Sequence, residues 1–283
     1  MIYPDAKSWR AAQRKSVLFF GMSGLGKTHV SKVLVQQGGW FHYSVDYRIG
    51  TSGMYSHIKD NLIAHAMREP FLAEMLRADA IYLEPNVHNH DLSAVASYLG
   101  KPGDPAKGGL PMAEYIRRQS QFRIAEIAAL QDDTETFRIR AQSLYGYNNF
   151  ICDTGGSICE WIDPEDENDP LLTKLASQCL LVWIKGDAAH TNDMIERFDR
   201  APKPMAYQPE FLARVWGEYL NQNNMSEEDV DPDTFIRWTY AQALAHRQPR
   251  YAAMARHGIT VTADDIHAVK TARDFDALIA AKL

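Results

Sequence analysis

The chain has few cysteines and no long apolar run. Its three cysteines, Cys152, Cys159 and Cys179, are an odd number, and no two of them form a C-x-x-C pair. This count argues against a disulfide framework or a zinc ribbon and favours a reducing compartment. No stretch reaches the roughly 18 apolar residues of a membrane span, and residues 1–16 lack a secretory apolar core. We therefore expect a cytoplasmic protein without a membrane partner.

Positive charge is also scarce. The chain has 30 Lys and Arg residues against 36 Asp and Glu residues, which gives a formal net charge of −6. This balance argues against a nucleic-acid partner, because such proteins usually carry a basic surface. At 283 residues, the chain is long enough to bury a full core, either as one large domain or as a core with a subdomain.

The most informative stretch is Gly21-Met-Ser-Gly-Leu-Gly-Lys-Thr28, which we call the glycine loop. It matches the Walker A pattern G-x-x-x-x-G-K-T. The apolar run Val17–Phe20 before it predicts a strand, and residues 29–37 after it predict a helix that stops at Gly38. Strand, glycine loop and helix form the context that a phosphate-binding loop requires. The pattern therefore predicts a nucleotide site.

Each part of this motif has an expected role. Glycines let backbone N–H groups surround phosphate oxygens, and a helix start adds partial positive charge there. We expect Lys27 to reach the terminal phosphates of ATP and the Thr28 hydroxyl to ligate Mg²⁺. The remaining nucleotide contacts are expected from Ser23, Gly24, Leu25, Gly26 and His29.

Two further strands are predicted to end in an acidic residue. Residues 40–46 read as a second strand that ends at Asp46, and residues 148–153 read as a third that ends at Asp153. Ligands of parallel α/β sheets bind at the carboxyl ends of strands, so both acids are expected near the substrate. Asp153 is a candidate Mg²⁺ ligand, and Gly155 and Gly156 after it would let the backbone approach a phosphate or substrate.

The rest of the chain alternates in the same way. Cys179–Ile184 predicts a buried strand, and 258–262 predicts another, with Thr262 to Asp265 as a helix-starting box. Residues 51–145 are mostly helical in pattern, with a possible extra strand at 80–83, and residues 209–221 and 233–247 read as two further helices. We predict a three-layer α/β sandwich with a mostly parallel central sheet and a helical insertion.

A basic, proline-containing stretch follows the fourth strand and its helix. Residues 196–204 contain Arg197, Arg200 and Lys203. Two arginines and a lysine beside prolines suit a lid that closes on ATP, although a basic surface turn explains the same pattern. His88, His90, Asp91 and Glu84 lack a compact ligand spacing, and we expect no metal site there.

The ordered set of features resembles shikimate kinase and its relatives among the small-molecule P-loop kinases. The resemblance covers residues 15–50 and 148–283. Beyond the glycine loop, Phe41 to Ile49 is similar to the family's F-x-D-x-D-x-x-I stretch, and Thr154-Gly155-Gly156 is similar to its glycine-rich substrate loop. Arg247 to Thr262 is similar to its R-x-P-x-Y segment and last strand.

The resemblance implies roles for individual residues. Asp46 would bind the acceptor hydroxyl and act as the base, and Arg197 would pack on the adenine. Arg247 would grip a substrate carboxylate. Lys203 lies at the spacing of the lid residue, with Arg200 close by, so either residue can supply the cation that contacts the transferred phosphate.

The chain also departs from the family. Ser44 stands where the Mg²⁺-associated aspartate is expected, and Asp153 is an extra acid that can compensate for it. Residues 51–147 replace a much shorter helical segment, so the acceptor is expected to differ from shikimate. The resemblance thus implies a P-loop kinase core of residues 1–50 and 148–283, with 51–147 as an acceptor-binding subdomain.

These observations predict an ATP- and Mg²⁺-dependent phosphotransferase that acts on a hydroxyl of a small, anionic metabolite. Two alternatives stay open at this point. One is an ATPase or switch module with a protein partner, in which water is the acceptor. The other is a kinase of nucleotides or RNA ends, for which five arginines of the insertion could form a basic face: Arg117, Arg118, Arg123, Arg138 and Arg140.

Overall fold

The computed structural model describes residues 1–89, 91–163 and 165–283, and its centre is a five-stranded parallel sheet. The strand order is β2-β3-β1-β4-β5, and every pairing between neighbours is parallel. The strands are β1 (Ser16–Phe20), β2 (Trp40–Ser44), β3 (Asn149–Asp153), β4 (Leu180–Lys185) and β5 (Ile259–Thr262). The α/β class with a parallel central sheet is thus confirmed.

Burial along the strands follows their place in the sheet. Every residue of β1 is buried, and so are the first five residues of β4. A strand covered on both faces needs apolar residues at every position, which explains the uninterrupted runs Val17–Phe20 and Leu180–Ile184. β5 lies at the sheet edge and alternates buried with exposed residues instead.

Helices connect and cover the strands. Within the described residues the α-helices are α1 (Ala6–Ala11), α2 (Lys27–Gln37), α3 (Val45–Arg48), α4 (Tyr55–Ala66), α5 (Pro70–Arg77), α6 (Ser93–Leu99), α7 (Met112–Ala128), α8 (Thr134–Ser143), α9 (Pro170–Gln178), α10 (Ala188–Arg200), α11 (Pro209–Asn223), α12 (Pro232–Ala255), α13 (Ala263–Ala268) and α14 (Ala272–Lys282). The predicted helix-starting box is confirmed, because Thr262 and Asp265 cap α13 reciprocally.

Three local predictions are wrong. The second strand ends at Ser44, two residues before Asp46, because the chain turns into α3 at the fully buried Val45. The extra strand predicted at 80–83 is irregular backbone. The helix predicted to end at residue 247 continues through Pro249 to Ala255, so local proline chemistry did not terminate it.

The chain divides into two compact units. Unit 1 contains Met1–Val45, Ile127–Pro202 and Arg237–Leu283, and therefore holds the whole sheet. Unit 2 contains Asp46–Glu126 and Lys203–Ile236. The insertion expected from the sequence covered 51–147, whereas unit 2 starts earlier, ends its first segment earlier and includes a second segment.

Unit 2 is held together by hydrogen bonds between its two segments. The Gln119 side chain of α7 donates to the Met205 carbonyl at 2.9 Å and accepts from the Tyr207 amide at 3.1 Å. The Tyr115 hydroxyl donates to the same Met205 carbonyl at 3.2 Å. Gln119 and Tyr115 are buried, so these bonds satisfy polar groups that would otherwise be costly to enclose.

Among the described residues, no helix combines the length and apolar character needed to cross a membrane. Two residues lie outside the described ranges. One is His90, which belongs to the histidine group considered above, and the other is Pro164.

Close packing at Gly258 generates a stability prediction. A Cβ atom added there would lie 2.1 Å from the Leu181 carbonyl oxygen of β4. We expect Gly258→Ala to lower the free energy of unfolding by about 1–3 kcal/mol or more, as overpacking does. The matched control is Gly217→Ala inside α11, where an added Cβ meets nothing within 4 Å.

That control should raise the free energy of unfolding by about 0.5–1 kcal/mol, because alanine favours helix. Urea denaturation of both variants gives the two values. Equal effects of the two substitutions would contradict the packing of Gly258 against β4.

Candidate functional site

The glycine loop leaves the carboxyl end of β1, the middle strand of the sheet, and leads directly into α2. Gly24 and Gly26 have φ angles of +86° and +99°. Residues with a side chain rarely adopt this left-handed backbone conformation, so the loop requires glycine at both positions. Ser23, Gly24, Thr28 and His29 are exposed, so the mouth of the loop is accessible from solvent.

Two helices pack against this loop. A Cβ atom at Gly24 would lie 3.1 Å from an Arg197 guanidinium nitrogen of α10. A Cβ atom at Gly26 would lie 3.0 Å from Ile266 of α13. The structure therefore brings Arg197 to the loop, although the sequence separation between them is large.

Lys27 is the first residue of α2, and its side chain folds back into the loop. It is only 7% exposed, and its ammonium donates to the carbonyls of Gly21 and Met22 at 2.8 Å each. A charged group this far buried needs polar partners, and the loop carbonyls supply them. The positive charge is therefore held inside the glycine loop.

Thr28 and Asp153 come together beside Lys27. The Thr28 hydroxyl donates to Asp153 Oδ2 at 3.1 Å. Asp153 is the last residue of β3, opposite Phe19 of β1 and Ser44 of β2, and is 7% exposed. The two sequence-predicted metal ligands thus meet, and they form a pair of oxygen donors of the kind that Mg²⁺ prefers.

His42 is a neighbour of this pair that the sequence reasoning missed. Its Nε2 lies 3.4 Å from Asp153 Oδ2. His42 is in the middle of β2, two residues before Ser44, so its side chain points to the same face as that of Ser44. The alternation of a strand was the available signal, but it requires knowing which strand is the neighbour.

Two predicted acceptor-site residues lie in unit 2. Asp46 is the second residue of α3, and Lys203 begins the second segment of that unit. The other predicted site residues belong to unit 1. Lys203 is followed by irregular backbone up to the start of α11.

The predicted lid is partly helical. Arg197 and Arg200 both belong to the last turn of α10, where each Nε donates to the backbone carbonyl four residues earlier at 3.2 Å. Cations at a helix C-terminus interact favourably with the helix dipole. This is a structural role for Arg200, in addition to the role predicted from the sequence.

The turn after β3 packs on a buried charged group. A Cβ atom at Gly156 would lie 3.5 Å from both Arg247 Nη1 and the Tyr251 hydroxyl, and 3.8 Å from the Gly21 carbonyl. The Tyr251 hydroxyl also donates to the Gly156 carbonyl. Gly156 is therefore close to both the glycine loop and Arg247. Gly155 precedes it and is buried.

Arg247 forms a buried ion pair with Glu160. Its Nε donates to Glu160 Oε1 at 2.6 Å, and the two residues are 4% and 3% exposed. His246 Nε2 lies 3.3 Å from the other carboxylate oxygen. Sequence reasoning missed Glu160. A buried charged group needs an ionic or polar partner, but the sequence did not show that Arg247 is buried. Part of the Arg247 guanidinium is thus engaged within the protein.

The pKa values of this pair shift in opposite directions. Burial disfavours the ionised form of Glu160, but the charge of Arg247 and the hydrogen bond from His246 outweigh it and hold the pKa of Glu160 below its ordinary value. Burial likewise opposes the charge of Arg247, yet Glu160 raises the pKa of Arg247 overall. Both groups are therefore charged at neutral pH.

Comparison with known proteins does not identify a relative. No protein-family model matches the chain, and no curated protein matches it.

Breaking the buried pair should destabilise the fold. We expect Glu160→Gln to lower the free energy of unfolding by about 3–5 kcal/mol, because Arg247 would stay buried without its counter-ion. The matched control is Glu218→Gln, which breaks an exposed pair with Arg214 (2.8 Å) and should cost at most about 1 kcal/mol. Urea denaturation measures both.

The Glu160–Arg247 pair predicts that the free energy of unfolding depends on pH. The pKa of Glu160 is lower in the folded state, so its stabilising contribution is complete above the unfolded value of about 4.3. It is lost as the pH falls through the lower folded value. Wild type should therefore lose more stability than Glu160→Gln on acidification below about pH 4.3. Parallel pH–stability curves for the two proteins would argue against the ion pair.

Proposed function

We propose that this protein is an ATP-dependent phosphotransferase of the P-loop kinase type that phosphorylates a hydroxyl of a small, anionic acceptor. The single observation that carries the proposal is the contact of Thr28 Oγ1 with Asp153 Oδ2, at 3.1 Å, beside a glycine loop that holds Lys27. A Walker A threonine and a strand-end aspartate are the two protein groups that position Mg²⁺ in P-loop nucleotide sites. Here they come from sequence positions 125 residues apart.

The loop suits a polyphosphate. Gly24 and Gly26 adopt left-handed backbone, which turns peptide N–H groups toward a bound anion, and α2 begins directly after them. Lys27 already lies inside the loop with its ammonium on backbone carbonyls. Arg197 beside Gly24 adds a planar cation that can stack on a nucleobase.

The donor set also suits Mg²⁺. A hydroxyl oxygen and a carboxylate oxygen are hard ligands, and Mg²⁺ typically takes one or two protein ligands with phosphate and water for the rest. When bound, Mg²⁺ would neutralise charge on the β- and γ-oxygens of ATP. Thr28 and Asp153 would hold it, and Ser44 opposite Asp153 contributes no charge.

The remaining roles are assigned by the resemblance to the shikimate kinase family. Lys27 would neutralise the terminal phosphates. Asp46 would orient the acceptor hydroxyl and take its proton, and Arg200 or Lys203 would contact the transferred phosphate. Arg247 would bind an acceptor anion.

The engagement of Arg247 by Glu160 favours one alternative. Because Glu160 already pairs with Arg247, this arginine would hold an anionic acceptor less firmly than the family resemblance implies. An ATPase or switch module uses water as the acceptor, so it needs no cationic side chain to bind an acceptor anion. A third possible function is a kinase of nucleotides or RNA ends, and the experiment below also distinguishes this function.

The first test separates these functions. The protein is mixed with Mg²⁺, radiolabelled ATP and a pool of hydroxylated acids, nucleosides and short RNA. The proposal expects label on a small anionic metabolite, at a rate well above the release of free phosphate. Release of free phosphate alone, unchanged by any acceptor, would favour the ATPase instead.

The second test of the proposed function concerns nucleotide binding. Lys27→Ala should weaken ATP binding about 10- to 100-fold, which is the equivalent of one lost charge-assisted hydrogen bond. Lys32→Ala on the exposed face of α2 is the control and should bind as wild type. Isothermal titration with a non-hydrolysable ATP analogue measures both, and equal affinities would contradict a phosphate site in the glycine loop.

The third test distinguishes the role of Asp46 as the base from nucleotide binding. Asp46→Asn should keep ATP affinity but lower the transfer rate by about 10²–10⁴-fold, which is the usual contribution of a general base. Asp60→Asn, on an exposed position of α4, is the matched control. A transfer rate unchanged in Asp46→Asn would remove Asp46 from the mechanism and leave the nucleotide site intact.

A further inference from the structure

A second group of metal-binding side chains lies on unit 1 and is not used by the proposed function. His190, Asp264 and His267 each offer one ligand atom, and these atoms all lie within 4.8 Å of one another. His190 is in the first turn of α10, and the other two are on α13. Within the described residues this is the one such group of His, Cys, Asp or Glu residues.

Local structure presents the two residues of α13 together. Asp264 and His267 are three positions apart, so they lie on the same face of the helix. The start of α13 is fixed by the reciprocal cap between Thr262 and Asp265, with hydrogen bonds of 2.9 and 3.0 Å. Asp265 therefore serves the cap, whereas Asp264 is left at the surface beside the histidine.

His190 is oriented by a carboxylate. Asp187 caps α10 and its Oδ1 accepts from the His190 amide at 2.8 Å and lies 2.7 Å from His190 Nδ1. A ring nitrogen that faces a carboxylate carries the proton, so the lone pair is on Nε2. Carboxylate–histidine–metal arrangements use this contact to fix the tautomer of a ligand.

The chemistry of the three donors selects the kind of ion. Two imidazoles and one carboxylate suit first-row transition metals, whereas Mg²⁺ and Ca²⁺ prefer oxygen ligands alone. The carboxylate also argues against an anion as the ligand. His190 is partly exposed and the other two side chains are exposed, so water can complete the coordination.

We propose that His190, Asp264 and His267 form a binding site for a divalent transition-metal ion such as Zn²⁺, Ni²⁺ or Co²⁺. The site shares no residue with the Mg²⁺ site assigned to Thr28 and Asp153. It is nevertheless next to the glycine loop, because a Cβ atom at Gly26 would lie 3.5 Å from His267 Nε2. A bound ion would tie the first turn of α10 to α13, the two helices that pack on that loop.

The test is a direct metal titration of the full, untagged chain without nucleotide. Co²⁺ is the probe, because its visible absorption reports nitrogen and carboxylate coordination. We expect one equivalent to bind, Zn²⁺ and Ni²⁺ to displace it, and a large excess of Mg²⁺ to leave the spectrum unchanged. Affinity should rise from Co²⁺ to Ni²⁺.

Single variants then locate the ion. His190→Gln, His267→Gln and Asp264→Asn should each weaken Co²⁺ binding by about tenfold or more. His65→Gln, an exposed histidine of α4 in unit 2, is the matched control and should bind as wild type. Circular dichroism checks that each variant is folded. We expect Asp264→Asn to fold normally, because Asp264 is not part of the cap that starts α13.

Asp187→Asn is a second, finer variant. It preserves a side-chain oxygen for the helix cap but lacks the charge that orients His190, so it should weaken binding less than the loss of a direct ligand. Binding of Co²⁺ that survives in all three ligand variants, or is lost equally in His65→Gln, would overturn the proposal. Displacement of Co²⁺ by Mg²⁺ at matched concentration would overturn it as well.

Discussion

The parallel pairing of β1 with β3 is the constraint on which the rest of the site depends. This pairing sets Phe19 opposite Asp153, so the end of β3 lies beside the start of the glycine loop. Because both strands run in the same direction, their carboxyl ends meet at one edge of the sheet, where α/β proteins bind ligands. The contact between Thr28 and Asp153 at 3.1 Å follows from that register. A one-residue slip would point Asp153 to the other face.

A second constraint lies beneath the glycine loop. The Arg247–Glu160 pair is almost completely enclosed, and it supports the turn that contains Gly156 together with the Tyr251 hydroxyl. A buried pair contributes little net stability against an apolar replacement, but each member makes the other indispensable. Arg247 therefore has a structural role of its own, in addition to the acceptor-binding role that the family resemblance implies.

The metal-binding group and the glycine loop illustrate how proximity arises from packing. His190 follows β4, whereas Asp264 and His267 follow β5, and these strands are neighbours in the sheet. The helices after two adjacent parallel strands begin at the same edge, so their first turns come close together. His88 and His90 are close along the chain, whereas the three side chains of the proposed site come from two separate helices.

The sequence by itself determined the elements whose signals are local. The apolar runs predicted β1 and β4, the glycine pattern predicted the turn into α2, and the Thr262 to Asp265 box predicted the start of α13, since each depends on backbone propensity and neighbouring residues. Only the tertiary structure decided which strand lies beside which. Strand order brought His42 to Asp153. The packing of distant segments paired Glu160 with Arg247, placed Asp46 in α3 and joined residues 203–236 to unit 2. Long-range packing made these choices, because the free energy of burying whole faces exceeds the small preferences that a local pattern can express.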